Sequence, residues 1–458
     1  MRRLVLIVCA FAASLGTGCF YAPTVADCAV ACTDACPAGL QCIEGLCRKS
    51  AQVSCECHSG TERACGVTKG QCRAGTQTCA NGAWGTCMGE ITPTAEICDG
   101  FDNDCDGLTD SFPAVVIHDG NVRDWRFLSL DSGFALVMTS PNDAGEDETL
   151  VQRLGPNFET LELTSARVGP RAVTEAVGFN STVYVLSGSD GGLELRSVTD
   201  GTLAMHDGVD DAGFSTKLKF AVGADRLIAH WDRPGVPSTR LGRWSLGGTL
   251  NDVIDLGELP SIDAGFPLAD GFTPQLSSTG KYAVFIGTPP DGGENVRILV
   301  DTTTLQPIRY DAPYYQYDVL DSHLVDMPNG KLSSVYTYVY PSDSWSGIYS
   351  NPDMLTLTTG DELTVEETKT NSLAWGASDA VLDAQGRLSF VYQDNAGRRL
   401  VIARSVGTAM TQPPAKRVQA PSEGFGVPRL ATPGADGFLP LAWSDTASIT
   451  ARKICPVR

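Results

Sequence analysis

"VGADRLIAHWD" runs from Val222 to Asp232. Its first four residues are small or turn-forming, and the next five are apolar, aromatic or β-branched apart from one arginine and one histidine. A turn signal followed by so short a burst predicts a β-strand of five to eight residues, entered through a tight hairpin. The same phrase recurs along the chain. "LDSG" precedes "FALVMTS", "GFNS" precedes "TVYVLSGS", "SSTG" precedes "KYAVFIGT" and "MPNG" precedes "KLSSVYTYVY". "DAQG" then precedes "RLSFVYQD", and "GADG" precedes "FLPLAWS".

The turn positions are Gly133, Ser181, Asp225, Gly280, Gly330, Gly386 and Gly437, spaced 44 to 56 residues apart. A further strand follows a variable loop in "GGLELRSV", "ENVRILVD" and "RRLVIARS". Repeats of about fifty residues, each a strand, turn and strand, predict the four-stranded blades of a β-propeller. The fold class is therefore mainly β, with a propeller of seven blades over residues 112–458. Six or eight blades and a non-propeller β fold are the alternatives. No stretch carries a helical period. The one Trp-Asp dipeptide, Trp231-Asp232, does not recur from strand to strand, so Trp231, Trp244, Trp375 and Trp443 read as blade packing.

The composition agrees. The 458 residues suit two to four domains, and 42% hydrophobic residues suit a globular chain. With 48 glycines and 26 prolines, short strands and turns are favoured over long helices. A formal charge of −20 repels nucleic acid and attracts cations, so nucleic-acid binding is set aside.

The 16 cysteines are distributed unevenly: Cys9, Cys19, thirteen from Cys28 to Cys105, then Cys455. Such clustering fits disulfides formed in an oxidising compartment. Arg2 and Arg3, an apolar run from Leu4 to Ala13 and small residues up to Cys19 have the layout of an export signal. The run Leu15-Gly16-Thr17-Gly18-Cys19 resembles a lipoprotein lipobox, with its leucine one place further from the cysteine than usual. The resemblance implies cleavage after residue 18 and lipid on Cys19. The protein would then be anchored to the bacterial outer membrane or cell surface by that lipid alone. A plain signal peptide and free secretion are the alternative. Cys455 is expected to pair back into the cysteine-rich region or to stay free.

Residues 20–50 hold "CAVACTDACPAGLQCIEGLCRKS", too short to bury a core without disulfides. Residues 51–111 contain Cys72, Gly75, Gln77, Cys79, Gly82, Trp84 and Cys87, then "EICDGFDNDCDGLTD" from Glu96 to Asp110. With Cys98, Asp99, Gly100, Asp102, Asn103, Asp104, Cys105, Asp106, Gly107 and Asp110, this region resembles the MopE copper-binding-type repeat, a metal-binding motif of bacterial surface proteins. The resemblance covers about residues 55–110 and implies copper by the family's name.

The donors themselves read otherwise. Copper favours imidazole, thiolate and thioether, whereas this loop offers carboxylate and amide oxygens. Counted from Asp102, acids stand at positions 1, 3 and 5 as Asp102, Asp104 and Asp106. Gly107 holds position 6, Leu108 offers its carbonyl at 7 and Asp110 stands at 9. That spacing predicts a Ca²⁺ loop. Position 12 is Pro113, so a bidentate ligand is missing there, and Asp99 or Glu96 is the candidate to supply it. A Cys98–Cys105 disulfide is expected to clamp the loop. Cys72, Cys79 and Cys87 are further disulfide candidates. A solvated Asp/Asn/Gly turn without metal is the alternative.

Catalytic patterns are missing from the sequence. The five histidines, His58, His118, His206, His230 and His323, are scattered, and no H-E-x-x-H, G-x-S-x-G or Walker loop occurs. The expectation is a non-enzymatic exported lipoprotein with a Ca²⁺-binding loop and a propeller that binds a protein or glycan. A copper-binding surface protein is one alternative. A propeller hydrolase or dehydrogenase is another, and it would need His230 or His323 to point into the central channel.

Overall fold

A computed structural model of the chain describes residues 25–120, 122–141, 145, 147–166, 173–189, 192–210, 218–232, 239–256, 275–287, 296–310, 318–326, 332–339, 348–357, 363–367, 379–382, 386–394, 399–404, 415–418, 428–434, 437–444 and 447–455. The expected export signal, Cys19 with its expected lipid, Gly330 and Trp375 lie outside them. The chain divides into two compact units: Met1–Glu96 with Gly100–Thr109, and Ile97–Asp99 with Asp110–Arg458.

The first unit is held by sulfur more than by a core. A two-stranded pair, Gln41–Ile43 with Leu46–Arg48, turns through Glu44 and Gly45, both with positive φ. A three-stranded sheet follows, made of Glu62–Cys65, Gly75–Ala80 and Ala83–Trp84. Six disulfides fasten these pieces: Cys28–Cys55, Cys32–Cys42, Cys36–Cys47, Cys57–Cys79, Cys65–Cys87 and Cys72–Cys105. The sulfurs of Cys32, Cys36 and Cys42 cluster closely, but each is already spent in a disulfide and offers no thiolate to zinc.

The expected Cys98–Cys105 clamp is corrected. Cys105 pairs with Cys72, and Cys98 pairs with Cys455. The physical reason is local. Residues 97–99 fold with the second unit, while the loop after them is fixed by hydrogen bonds to Glu96.

The second unit is a β-propeller. Among the described residues, seven antiparallel sheets follow one another, each with four strands in succession from the inside outward. The innermost strands are Asp124–Leu130, Val173–Phe179, Leu218–Val222, Gln275–Leu276, Asp318–Asp326, Asp379–Leu382 and Pro428–Leu430. Each touches the next around the ring, and the seventh touches the first. The second sheet carries an extra short strand, Val209–Asp210, against Gly192–Thr199. The turn positions read from the sequence fall between the innermost and second strands of six sheets. Gly133 there has φ 149°, and a Cβ on it would lie 2.2 Å from the Leu154 carbonyl oxygen, so only glycine fits.

The ring closes with a strand from the other end of the unit. Val115–Asp119 forms the outer strand of the seventh sheet, paired antiparallel with Ser448–Ile454 in a register of Asp119 to Ser448 and Val115 to Ala451. Apolar layers fill the spaces between neighbouring sheets. Ile117, Trp125, Phe127, Phe134, Phe158 and Ile449 pack where the seventh and first sheets meet. Trp231 and Trp244 are fully buried in a second layer, and Trp443 is nearly so in a third.

Candidate functional site

The acidic loop is built around three carboxylates. Oxygens of Glu96, Asp102 and Asp104 all lie within 4.8 Å of one another. Glu96 and Asp102 are only 7% and 6% exposed. Backbone amides hold them in place. Glu96 Oε1 accepts from the amides of Asn103 (2.5 Å) and Asp104 (2.8 Å). Asp102 Oδ2 accepts from the Gly107 amide at 2.9 Å, the closure that the Asp-x-Asp-x-Asp-Gly spacing requires. The Asp104 and Asp106 carboxylates accept from the amides of Asp106 and Leu108. Two oxygens are left over: Glu96 Oε2 and Asp102 Oδ1 are buried and accept no hydrogen bond.

The surroundings fix this geometry. The Gln71 amide donates to the Asp102 carbonyl at 2.9 Å, and the Thr94 amide donates to the Asn103 carbonyl at 2.9 Å. Gly70 has φ +54°, and a Cβ there would lie 2.4 Å from Asp102, so the chain passes the carboxylate only because the side chain is absent. The Cys72–Cys105 disulfide joins the same two segments.

The expected ligand set is therefore only partly assembled. Asp102 and Asp104 converge, with Glu96 supplying the third carboxylate. Asp106 and Leu108 are exposed, and Asp99 and Asp110 belong to the second unit. The sequence offered positions 7 and 9 downstream and Asp99 or Glu96 upstream, and of these the fold brings Glu96 to Asp102 and Asp104.

The second place where polar groups gather is the centre of the propeller. The innermost strands enclose a cavity of about 370 Å³. Arg126, Glu175, Lys219, His323, Asp379 and Arg429 line it. Arg126 grips Glu175 with two hydrogen bonds, at 2.9 and 3.0 Å, and donates to Asp124 at 2.7 Å. Burial opposes charge on both partners. Their mutual attraction outweighs it, holding Arg126 above its ordinary range and Glu175 below the carboxylate range, with Lys219 and Arg429 contributing. Asp379 accepts from the amides of Ala380 (2.9 Å) and Leu430 (2.8 Å) and lies 3.5 Å from His323 Nδ1.

Of the two histidines that an enzyme would need here, His323 lines the cavity and His230 does not. His230 is fully buried, with Nδ1 3.2 Å from the Gln275 carbonyl. Its pKa falls to about 4 through burial, partly offset by that hydrogen bond. The channel charges were not singled out from the sequence. Their signal is a charged residue within the first three positions of strands that lead into the recurring turns, as at Arg126, Glu175, Lys219 and Arg429.

No family model matches this chain, and no curated protein matches it in sequence. Solved structures match its fold. A PL25 polysaccharide lyase, an ulvan lyase bound to -[GlcA(1-4)Rha3S]-, superimposes with a TM-score of 0.50 at 7% identity, over 75% of this chain and 96% of that one. Hydrazine synthase from Kuenenia stuttgartiensis gives 0.48 at 11% identity, over 74% and 97%. The Dos1 propeller gives 0.44 at 10%, over 75% and 94%. At 7% identity, the likeness to the lyase speaks for the fold alone.

Proposed function

We propose that this is an exported, non-enzymatic calcium-binding protein whose propeller presents its loops to a protein or glycan partner. The observation that carries the metal is the pair of orphaned oxygens. Glu96 Oε2 and Asp102 Oδ1 are buried, accept nothing and share a small space with the Asp104 carboxylate. A buried acceptor left unpaired is costly, and three carboxylates crowded together repel one another. A hard divalent cation relieves both at once, with backbone carbonyls or water completing its shell.

The donor set supports calcium over copper, because it consists of carboxylate oxygens without imidazole or thiolate. Every described cysteine is in a disulfide, which suits an oxidising, extracytoplasmic setting. Sites of this open kind bind Ca²⁺ at about 10⁻⁴–10⁻³ M, as extracellular modules do.

Calorimetric titration of the chelator-stripped, disulfide-intact protein tests the reading. One Ca²⁺ per chain is expected in that range. Glu96→Gln keeps the acceptor for the Asn103 and Asp104 amides but puts an amide nitrogen where Oε2 stood. It should weaken binding roughly tenfold or more, and Asp102→Asn should do the same. Tight copper binding together with no calcium heat sinks the proposal.

A further inference from the structure

Among the described residues that line the propeller channel, both carboxylates are occupied and two of the cations are not. Glu175 is held by Arg126, and Asp379 is held by two backbone amides beside His323. Lys219 and Arg429 stand on the innermost strands of the third and seventh sheets, and both face the same cavity. Among the described residues, neither donates a hydrogen bond or forms an ion pair, and the Nε of Arg429 is buried without an acceptor. Both act on Glu175 through space. Among the described residues the cavity is lined by three fixed cations against two carboxylates, in a chain whose net charge is −20.

A surplus of positive charge at the centre of an acidic protein is not a solvation device. Exposed lysines and arginines are solvated easily, whereas a guanidinium whose Nε is buried and unpaired lacks the partner its planar fork is shaped for. We infer that the propeller channel binds a small monoanionic carboxylate, with Arg429 and Lys219 holding the carboxylate and Asp379 accepting from hydroxyl groups on the rest of the ligand. The volume, about 370 Å³, lies toward the small end of the roughly 300–1,000 Å³ range of small-molecule sites. A dianion fits less well, because Glu175 and Asp379 flank the same cations and would repel the second charge. The neutral sugar corresponding to such an acid gives the two cations nothing to bind. This inference does not depend on the metal of the first unit.

Saturation-transfer NMR on the intact, disulfide-bonded protein is the test, with sodium D-gluconate and sodium D-glucuronate as probes and D-glucose and inorganic phosphate as comparisons. Transfer to at least one of the acids is expected, with little to glucose and weaker binding of phosphate. Arg429→Gln and Lys219→Met should each lower affinity for that acid by about tenfold, while Glu96→Gln leaves it unchanged. Where a channel variant fails to fold, the wild-type protein supplies the answer: the bound acid should protect Arg429 from phenylglyoxal. The inference is overturned if neither acid binds, if phosphate binds more tightly than both, or if binding persists in Arg429→Gln and Arg429 goes unprotected.

Discussion

His230 lies on the strand Arg226–Asp232 with its ring fully buried, Nδ1 on the Gln275 carbonyl and Nε2 without a partner. Burial disfavours the charged ring, so its pKa falls from 6.5 to about 4. The unfolded chain therefore takes up a proton between these values that the folded chain refuses. Stability rises with pH across that window, being fully present above pH 6.5 and lost as pH falls toward 4. At 1.36 kcal/mol per unit, the loss attributable to this residue is roughly 3 kcal/mol. Denaturant unfolding at pH 7, 5.5 and 4.5 should show a shallower pH dependence in His230→Gln than in the wild type, and parallel curves for the two would refute the assignment. The sequence shows that a histidine stands in an apolar burst but not whether its ring faces a layer of packing or the channel. The same holds at the acidic loop: Asp102, Asp104 and Gly107 were legible from their spacing, because one tight turn sets their geometry. Glu96 was legible only as one of two upstream candidates, because spacing does not tell which of Asp99 and Glu96 the backbone folds back onto the loop.

Val115–Asp119 shows the limit at the scale of an element. Its burial alternates, with Ile117 4% exposed and Val116 60% exposed, as in an outer strand packed on one face. Ile117 sits in the layer with Trp125 and Phe127, and its carbonyl accepts from Gln152 Nε2 at 2.8 Å. Ile117→Ala should cost about 2–5 kcal/mol, whereas Val116→Ala should stay within about 0.5 kcal/mol. Guanidinium unfolding compares them, and equal losses would show that this strand does not seal the ring. The hairpins were readable because tight turns demand glycine, asparagine or aspartate at fixed places. Which strand completes the seventh sheet was not, because its partner Ser448–Ile454 lies at the far end of the unit and pairing between distant segments leaves no mark on either.

For the propeller as a whole, closure has two fasteners. The hydrogen-bonded ladder between Val115–Asp119 and Ser448–Ile454 is one, and the Cys98–Cys455 disulfide, spanning 357 residues, is the other. A crosslink across so long a loop removes much of the freedom of the unfolded chain. Cys455→Ser paired with Cys98→Ser should lower the thermal midpoint of the propeller by on the order of 5 °C or more. An unchanged midpoint in calorimetry would mean that the ladder alone suffices. The sequence left Cys455 either to turn back to the cysteine-rich region or to stay free, since no other cysteine lies after Cys105, and the structure pairs it with Cys98. Its partner could not be told from its neighbours, because connectivity depends on which sulfurs the fold brings within reach.

Closure also sets a schedule. The first strand of the unit must wait for the last, and the chain between Asp119 and Ser448 takes roughly half a minute to synthesise at about 5–20 residues per second. Throughout that interval the six complete sheets can assemble, but the first and last of them present bare apolar faces, and Val115–Asp119 an unpaired ladder, to whatever is nearby. A ribosome-bound or half-exported chain is thus an open arc with adhesive ends. The disulfide cannot form until Cys455 meets an oxidant, so the ring can be made permanent only after the whole chain has left the reducing side of the membrane.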